Sequence, residues 1–238
     1  MHNILIIGAN RGLGLEFAKQ YSDENHNVFA TTRNKSESKA LNAISKIKVF
    51  ELDLNSDESL DNFVQQISSQ KIDILIHNAG IFRDEQLDED LDIDAWMNEL
   101  RINAVIPIIL ARKLKSNLQM GLSKKIVFIS SQMGSIDDNY SGRFYFYRSS
   151  KSALNSAAKS LSIDWKDDGI SILILHPGWV KTDMGGDNAK LEIPDSISQM
   201  IKVINDLNLT NSGSFVNYAG EKLEWYTRIK INQIFIMI

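Results

Sequence analysis

The chain has 238 residues, enough for one sizeable α/β domain and short for two. A net charge of −4 argues against a general nucleic-acid binder, and the absence of cysteine excludes disulfides, thiolate metal sites and cysteine nucleophiles. The N-terminal MHNILIIG is too short for the apolar region of a signal peptide. AVIPIILA, interrupted by Pro107, is too short to span a bilayer, so a cytoplasmic protein with no membrane partner is expected.

Short β-branched runs alternate with amphipathic segments along the chain. The first strand is predicted at 3–8, followed by a glycine-bearing turn and a helix. Further strands are expected at 27–32, 47–52, 72–77, 125–130, 170–175 and 213–218. Several are apolar on both faces, as in a parallel sheet covered on both sides. NSDESLDNFVQQI begins with a capping serine, Ser56, and has acids in its first turn, where the helix dipole favours them. This alternation predicts right-handed crossovers and a single Rossmann-like, doubly wound parallel sheet of about seven strands over 1–238, with no linker or repeat. The weakly patterned stretches 80–92, 132–145 and 178–194 would lie beyond the carboxyl ends of the strands, where such sheets bind ligands.

IIGANRGLGLEFA puts Gly8, Gly12 and Gly14 directly after the first strand and into the first helix. A turn that brings backbone N–H groups against a pyrophosphate has no room for Cβ atoms, and the helix N-terminus adds partial positive charge. The second strand ends in Thr31 and Thr32, not in a carboxylate, and is followed by Arg33; Arg11 sits inside the glycine turn. Arginine pairs with a 2′-phosphate that a carboxylate would repel, so NADP(H) is preferred and NAD(H) remains possible. Two solvated surface arginines are the plainer reading. Asp53 is either an acceptor for the adenine amino group or a cap for the helix that follows.

A tyrosine with a lysine four positions later occurs three times: Tyr147/Lys151, Tyr218/Lys222 and Tyr226/Lys230. GANRGLG, HNAG at 77–80, RINAV at 101–105, FISSQMGS at 128–135, YRSSK at 147–151 and HPGWVKTDM at 176–184 together resemble the short-chain dehydrogenase/reductase family. SSQMGSIDDNYSGRFYFYRSSKSALN resembles its C-factor-like and sniffer-like carbonyl reductase branch. The segments occur in the family's order and cover nearly the whole chain. YRSSK has the serine-bearing strand end upstream and the Pro-Gly turn downstream. YAGEK contains Gly220, which suits a turn, and YTRIK lies in the terminal tail.

The resemblance implies a tetrad of Asn103, Ser131, Tyr147 and Lys151. Tyr147 would protonate a carbonyl oxygen, Ser131 would position it, Lys151 would hold the nicotinamide ribose, and Asn103 would hold a relay water or stabilise a helix kink. Choosing Ser131 over Ser130 rests on the family pattern, and either could cap the strand end. A free tyrosine titrates near pH 10, so phenolate chemistry near pH 7 needs a shift of about three units, roughly 4 kcal/mol; the Lys151 ammonium and an oxidised nicotinamide are expected to supply it.

The cofactor is expected to be lined by Gly8, Asn10, Arg11, Gly12, Leu13, Gly14, Arg33, Asp53, Leu54, Asn78, Ala79, Gly80, Tyr147, Lys151, Pro177, Gly178, Val180 and Thr182. Thr182 could equally be a helix N-cap, and His77 is read as structural. The substrate wall is assigned to Met133, Phe144, Trp179 and Met184, with a substrate loop at about 179–196, which suits an apolar or aromatic carbonyl compound. No metal cluster is seen. By resemblance a homo-oligomer, dimer or tetramer, is expected through helices near 100–118 and 147–165. The apolar tail 226–238 either crosses a subunit interface or pairs loosely with the body. An NADPH-dependent carbonyl reductase is the leading reading, and a cofactor-bound signalling protein with weak catalysis is the alternative.

Overall fold

The structure is a computed structural model that describes residues 1–83 and 90–225. The strands are β1 (Asn3–Ile7), β2 (Asn27–Thr32), β3 (Ile47–Glu51), β4 (Ile74–His77), β5 (Lys125–Ile129), β6 (Ser171–His176) and β7 (Ser214–Asn217). They form one parallel sheet in the order β3-β2-β1-β4-β5-β6-β7, the doubly wound arrangement that the strand–helix alternation predicts. All seven expected strands are present, with ends displaced by two residues at most.

Strand periodicity divides the core into two layers. Leu5 and Ile7 point to the face covered by α3 (Asp57–Ile67), α5 (Ile106–Lys113), α6 (Lys115–Met120) and α7 (Tyr145–Asp164), where they join Phe63, Leu110, Leu118 and Leu154. Ile4 and Ile6 point to the other face, against Phe17 and Ala18 of α1 (Gly12–Asp23), Leu41 of the short α2 (Lys39–Asn42) and Ile197 and Ile201 of α8 (Ile193–Asn205). Each fully buried Leu or Ile contributes about 1.5–3 kcal/mol. α3 starts as expected: the Ser56 side chain accepts from Ser59 N at 3.1 Å, with Asp57 and Glu58 in the first turn.

The chain winds from β1 out to β3, then resumes at β4 on the other side of β1. β1 and β4 are therefore the neighbours at which the winding reverses, and the crevice beyond their carboxyl ends is where such folds bind ligands. α4 (Ile93–Leu100) leads into this region and runs without a break into a wider turn at Arg101–Val105 and then α5.

Strand β4 begins two residues later than expected, because Asp73 serves as a junction. Its carboxylate accepts from Asn3 N at 2.8 Å, Leu122 N at 2.6 Å and Ser123 N at 3.4 Å. Burial raises the carboxyl pKa, but these three backbone bonds outweigh burial and the net shift is downward. A lowered folded-state pKa means a contribution fully present above about pH 4, the unfolded value, and lost as pH falls through the folded value. Asp73→Asn should therefore cost about 2 kcal/mol in urea unfolding at pH 7, with the gap to wild type narrowing towards pH 3. A gap that is constant across that range would remove the assigned role.

Candidate active site

The glycine turn depends on close approach at the β1–β4 boundary. Gly8 has φ +81°, and a Cβ there would sit 2.7 Å from Ala79 Cβ. Its carbonyl accepts from Asn78 Nδ2 at 2.7 Å and its N–H donates to Thr31 Oγ1 at 3.0 Å. A Cβ on Gly14 would lie 2.1 Å from Gly8 O, so Gly14 lets the helix pack on the turn and does not line a cavity.

From this turn a cleft of about 880 Å³ runs along the sheet edge. Of the residues expected to line it, Gly8, Asn10, Arg11, Gly12, Leu13, Arg33, Asp53, Leu54, Asn78, Ala79, Gly80, Tyr147, Lys151, Pro177, Thr182 and Met184 do. Arg33 is exposed and has no ion-pair partner among the described residues. Arg11 is ion-paired across the groove with Asp183. Asp53 does not cap α3, a role Ser56 takes; its Oδ1 accepts from Asn55 N at 2.9 Å in a local turn.

The loop after β6 departs from expectation at several positions. Gly178, at φ +84°, lies under Tyr218, whose ring a Cβ would meet at 2.8 Å. Val180 is buried and bridges to Leu191, away from the cleft. Trp179 is exposed, and its indole N–H donates to Gly185 O at 2.7 Å, which ties it to its own loop. Thr182 Oγ1 accepts from Gly185 N at 3.0 Å and closes a turn, not a helix. The expected substrate loop 179–196 ends earlier, because Ile193–Ser196 belong to α8.

On the catalytic side, the two serines after β5 separate. Ser130, which lines the cleft but is only 2% exposed, donates its Oγ hydrogen to Asn155 Oδ1 at 2.5 Å. The Ser131 hydroxyl accepts from Met133 N at 3.1 Å, so it does cap the strand end, and it also hydrogen-bonds the Tyr147 phenol. Tyr147 and Lys151 are i,i+4 neighbours on α7. The Lys151 ammonium lies 5.6 Å from the Tyr147 ring centroid and donates to Ile129 O at 3.0 Å.

The chain's own groups, Lys151 included, do not on balance lower the tyrosine pKa. Burial pushes the Tyr147 phenol up to about 12 against the Ser131 hydrogen bond, with Glu99 adding to the rise. Burial also pulls Lys151 down to about 8, with Glu99 opposing. Desolvation outweighs the mutual attraction because both groups have left water and the ammonium is aimed at Ile129 O. At neutral pH the pair is a phenol and an ammonium.

Asn103 sits in the Arg101–Val105 segment, a π-helical turn that interrupts the α-helical ladder, a distortion frequent at functional sites. Its Oδ1 accepts from Ile81 N at 2.8 Å, and its Nδ2 donates to Ile81 O at 2.8 Å, Ser150 Oγ at 3.0 Å and Glu99 Oε1 at 3.4 Å. The helix-kink alternative is thus realised in the structure.

Phe144 precedes α7, with Gly142, Arg143 and Phe144 all left-handed at φ +66°, +59° and +54°. Non-glycine residues there cost about 1 kcal/mol or more each. The turn aims the Phe144 ring at Phe82, 5.5 Å between centroids, and Phe82 in turn meets the Tyr147 ring edge-on at 5.1 Å. Phe144, Met133 and Trp179 do not line the large cleft; Met184, exposed at its rim, does. Phe82 was missed in the sequence, where it lies in a stretch marked only as weakly patterned. The available signal was an apolar pair directly after HNAG. Glu99 was also missed, and its signal was only an acid one helical turn before Asn103.

Tyr218 and Lys222 flank a turn at Gly220, as expected for YAGEK. YTRIK and the tail 226–238 lie outside the described residues. Among the described residues no helix is long and apolar enough to cross a membrane, and no group of His, Cys, Asp and Glu could hold a metal ion.

Comparison with known proteins agrees with this geometry. A family model described as short chain dehydrogenase matches residues 2–192. The chain is 37% identical over 163 residues to C-signal of Myxococcus xanthus, covering 68% of this chain and 98% of that protein. It is 30% identical over 233 residues to 1-hydroxy-2-glutathionyl-2-methyl-3-butene dehydrogenase of Rhodococcus sp., covering 94% and 100%. Among solved structures, the carbonyl reductase Sniffer of D. melanogaster superposes with a TM-score of 0.90 at 37% identity, over 94% of this chain and all of that one. An NADPH-bound carbonyl reductase from chicken fatty liver gives 0.85 at 29% identity, over 94% and 99%. The chain belongs to the short-chain dehydrogenase/reductase family, on the branch that includes C-signal and Sniffer.

Proposed function

We propose that this protein is an NADPH-dependent reductase of ketones or aldehydes. The observation that carries the reading is a buried phenol, hydrogen-bonded to Ser131 and backed by the Lys151 ammonium, at one end of a cleft whose other end holds Arg33.

The residues present fit a dinucleotide. The first turn of α1 holds no acid and its N-cap makes no side-chain bond, so no capping carboxylate occupies those N–H groups and they can take a phosphate. Thr31 is tied to Gly8 N and Thr32 to Ser38 Oγ, so β2 ends without a carboxylate to repel a 2′-phosphate. The NADPH held by the chicken relative supports the same preference. Arg33 and Arg11 would hold the 2′-phosphate, the glycine turn the pyrophosphate, and Lys151 the nicotinamide ribose, while NAD(H) is the weaker ligand. Bound there, the cofactor supplies the hydride.

Tyr147 then gives its proton to the carbonyl oxygen, which Ser131 positions. A phenol titrating near 12 is protonated at pH 7, the form reduction needs. The Nδ2 donors of Asn103 are shared among Ile81 O, Ser150 and, at longer range, Glu99, and Oδ1 keeps one lone pair on which a relay water can rest. Ile81 and Met184 line the cleft, and Phe82 and Phe144 pack beside the Tyr147 ring, so the surroundings of the phenol are apolar, which suits an aromatic or aliphatic carbonyl compound. No feature of the site favours the regulatory alternative: a protein that only held cofactor would not need a buried phenol on a serine hydroxyl.

A screen of carbonyl compounds with NADPH and with NADH, followed by absorbance of the reduced cofactor, tests the reading directly. Tyr147→Phe should bind NADPH normally and lose at least about 100-fold in kcat; turnover at the wild-type rate would end the catalytic assignment. Arg33→Ala should weaken NADPH about 10- to 100-fold in a binding titration and leave NADH nearly unchanged. Equal losses for the two cofactors would refute the 2′-phosphate role. Val105 in the π-turn, Ile109 on α5 and Ile163 on α7 are exposed apolar residues on the helices the family resemblance implicates in assembly. A homo-oligomer is expected by light scattering on the purified protein, and a monomer at micromolar concentration would contradict it.

A further inference from the structure

The catalytic chemistry described above has no use for Glu99, yet this acid is only 1% exposed. Water is a far better solvent for a carboxylate than a protein interior, so an acid with no function at this depth is a cost. Its place follows from the helix. Glu99 is in the last turn of α4, and Asn103 lies four residues later in the π-turn, so the two side chains share a face. Asn103 Nδ2 donates to Glu99 Oε1 at 3.4 Å.

The same amide reaches the catalytic pair from its other side. A side chain on Gly80 would put its Cβ 3.2 Å from Asn103 Oδ1 and 3.4 Å from Lys151 Nζ. The amide and the ammonium therefore converge on one small space that only a glycine leaves open. Asn103 is thus wedged between an acid and a base that do not touch the cleft in the same way: Lys151 lines it and Glu99 is sealed behind.

We propose that Glu99 is a positioning residue, whose carboxylate behind Asn103 supplies the negative charge that holds Lys151 as an ammonium and Tyr147 as a phenol. The inference rests on the reductase reading of the same site. Two features make a charge necessary there. Burial works against the Lys151 ammonium, and the ammonium's hydrogen bond goes to a neutral carbonyl, that of Ile129. The Glu99 carboxylate raises both Tyr147 and Lys151 on α7. From the sheet side Lys151 is faced by His77 at the end of β4, which burial and the nearby ammonium keep neutral, so it adds no opposing charge.

The sign follows directly. A negative charge favours the protonated form of each neighbour, so removing it lowers the pH at which Lys151 is lost as a cation. Glu99→Gln keeps the shape and an acceptor for Asn103 and removes only the charge. A downward move of about one pH unit in the Lys151 titration should reduce kcat/KM about fivefold at pH 8 and leave it within twofold at pH 6. NADPH affinity, read from its fluorescence without any substrate, should weaken at pH 8 and not at pH 6, because Lys151 grips the ribose. Glu99→Asp, which restores the charge, should recover most of the pH 8 loss.

An equal loss at both pH values would mean that Glu99 only braces Asn103, and no loss at either would mean that the carboxyl carries no charge; either overturns the inference. The binding arm separates it from the reductase reading. A pH-dependent loss of NADPH affinity with no carbonyl compound turned over would leave the role of Glu99 standing and remove the proposed reaction.

Discussion

A methyl group that is missing at Gly8 decides where everything else can go. β1 and β4 are adjacent strands whose helices leave in opposite directions, and the chain segments leaving both must pass within van der Waals contact. With a Cβ at Gly8, that contact would be 2.7 Å from Ala79 Cβ, so the turn would have to open. Its closure brings the Asn78 amide onto Gly8 O and seats Gly14 against the same carbonyl. One backbone oxygen thus joins the phosphate-side turn to HNAG, and the next residue along, Gly80, leaves the gap in which Asn103 and Lys151 meet. The two halves of the cleft, one for binding and one for chemistry, are coupled through three glycines and an asparagine.

On the chemical side the dominant force is desolvation. Tyr147 and Lys151 are both buried, and burial acts on them in opposite directions, raising the phenol and lowering the amine until the two stand about four units apart. A tyrosine and a lysine in water are both near 10. Burial therefore disfavours a phenolate beside an ammonium. The structure places hydrogen-bond partners around the proton, Ser131 at the phenol and Ile129 O at the amine, and holds a carboxylate one turn away. Such a site is poised to donate a proton at neutral pH, which is a different state from the phenolate that the Tyr-Lys spacing alone brings to mind.

What was legible in the sequence is what depends on local pattern. Alternating apolar runs specify the strands because each must bury both faces, and Ser56 announces α3 because an N-cap is settled within four residues. The cofactor end was readable for the same reason, since glycines and missing carboxylates act where they stand. What resisted reading depends on residues far apart in the chain. Ser130 and Ser131 are indistinguishable as neighbours and part only when α7 packs, because Asn155 takes one and Tyr147 the other. Phe82 becomes part of the site only when the left-handed 142–144 turn swings Phe144 towards it. The Lys151 share of the tyrosine shift was not legible, because spacing reveals a nearby cation and says nothing of how much water is left.

The loop after β6 shows how a weak contact can matter in such a site. Its shape comes from its own bonds: Lys181 N to Leu191 O at 2.9 Å, Leu191 N to Trp179 O at 3.2 Å, and Gly185 N to Thr182 Oγ1. Its tie to the glycine turn is the Arg11–Asp183 ion pair, whose side chains are 70% and 77% exposed. A pair that open to solvent contributes about 1 kcal/mol at most, so it can part without disturbing the loop. The two arginines are therefore not equivalent ligands for a phosphate. Arg11 reaches one only by leaving a carboxylate, and it carries that carboxylate's negative charge into the neighbourhood of the phosphate if it stays. Arg33, with no ion pair to give up among the described residues, meets a 2′-phosphate with its full charge. In the proposed reading, discrimination between the two nicotinamide cofactors accordingly falls on the arginine at the end of β2, although the one inside the glycine turn is closer to the motif.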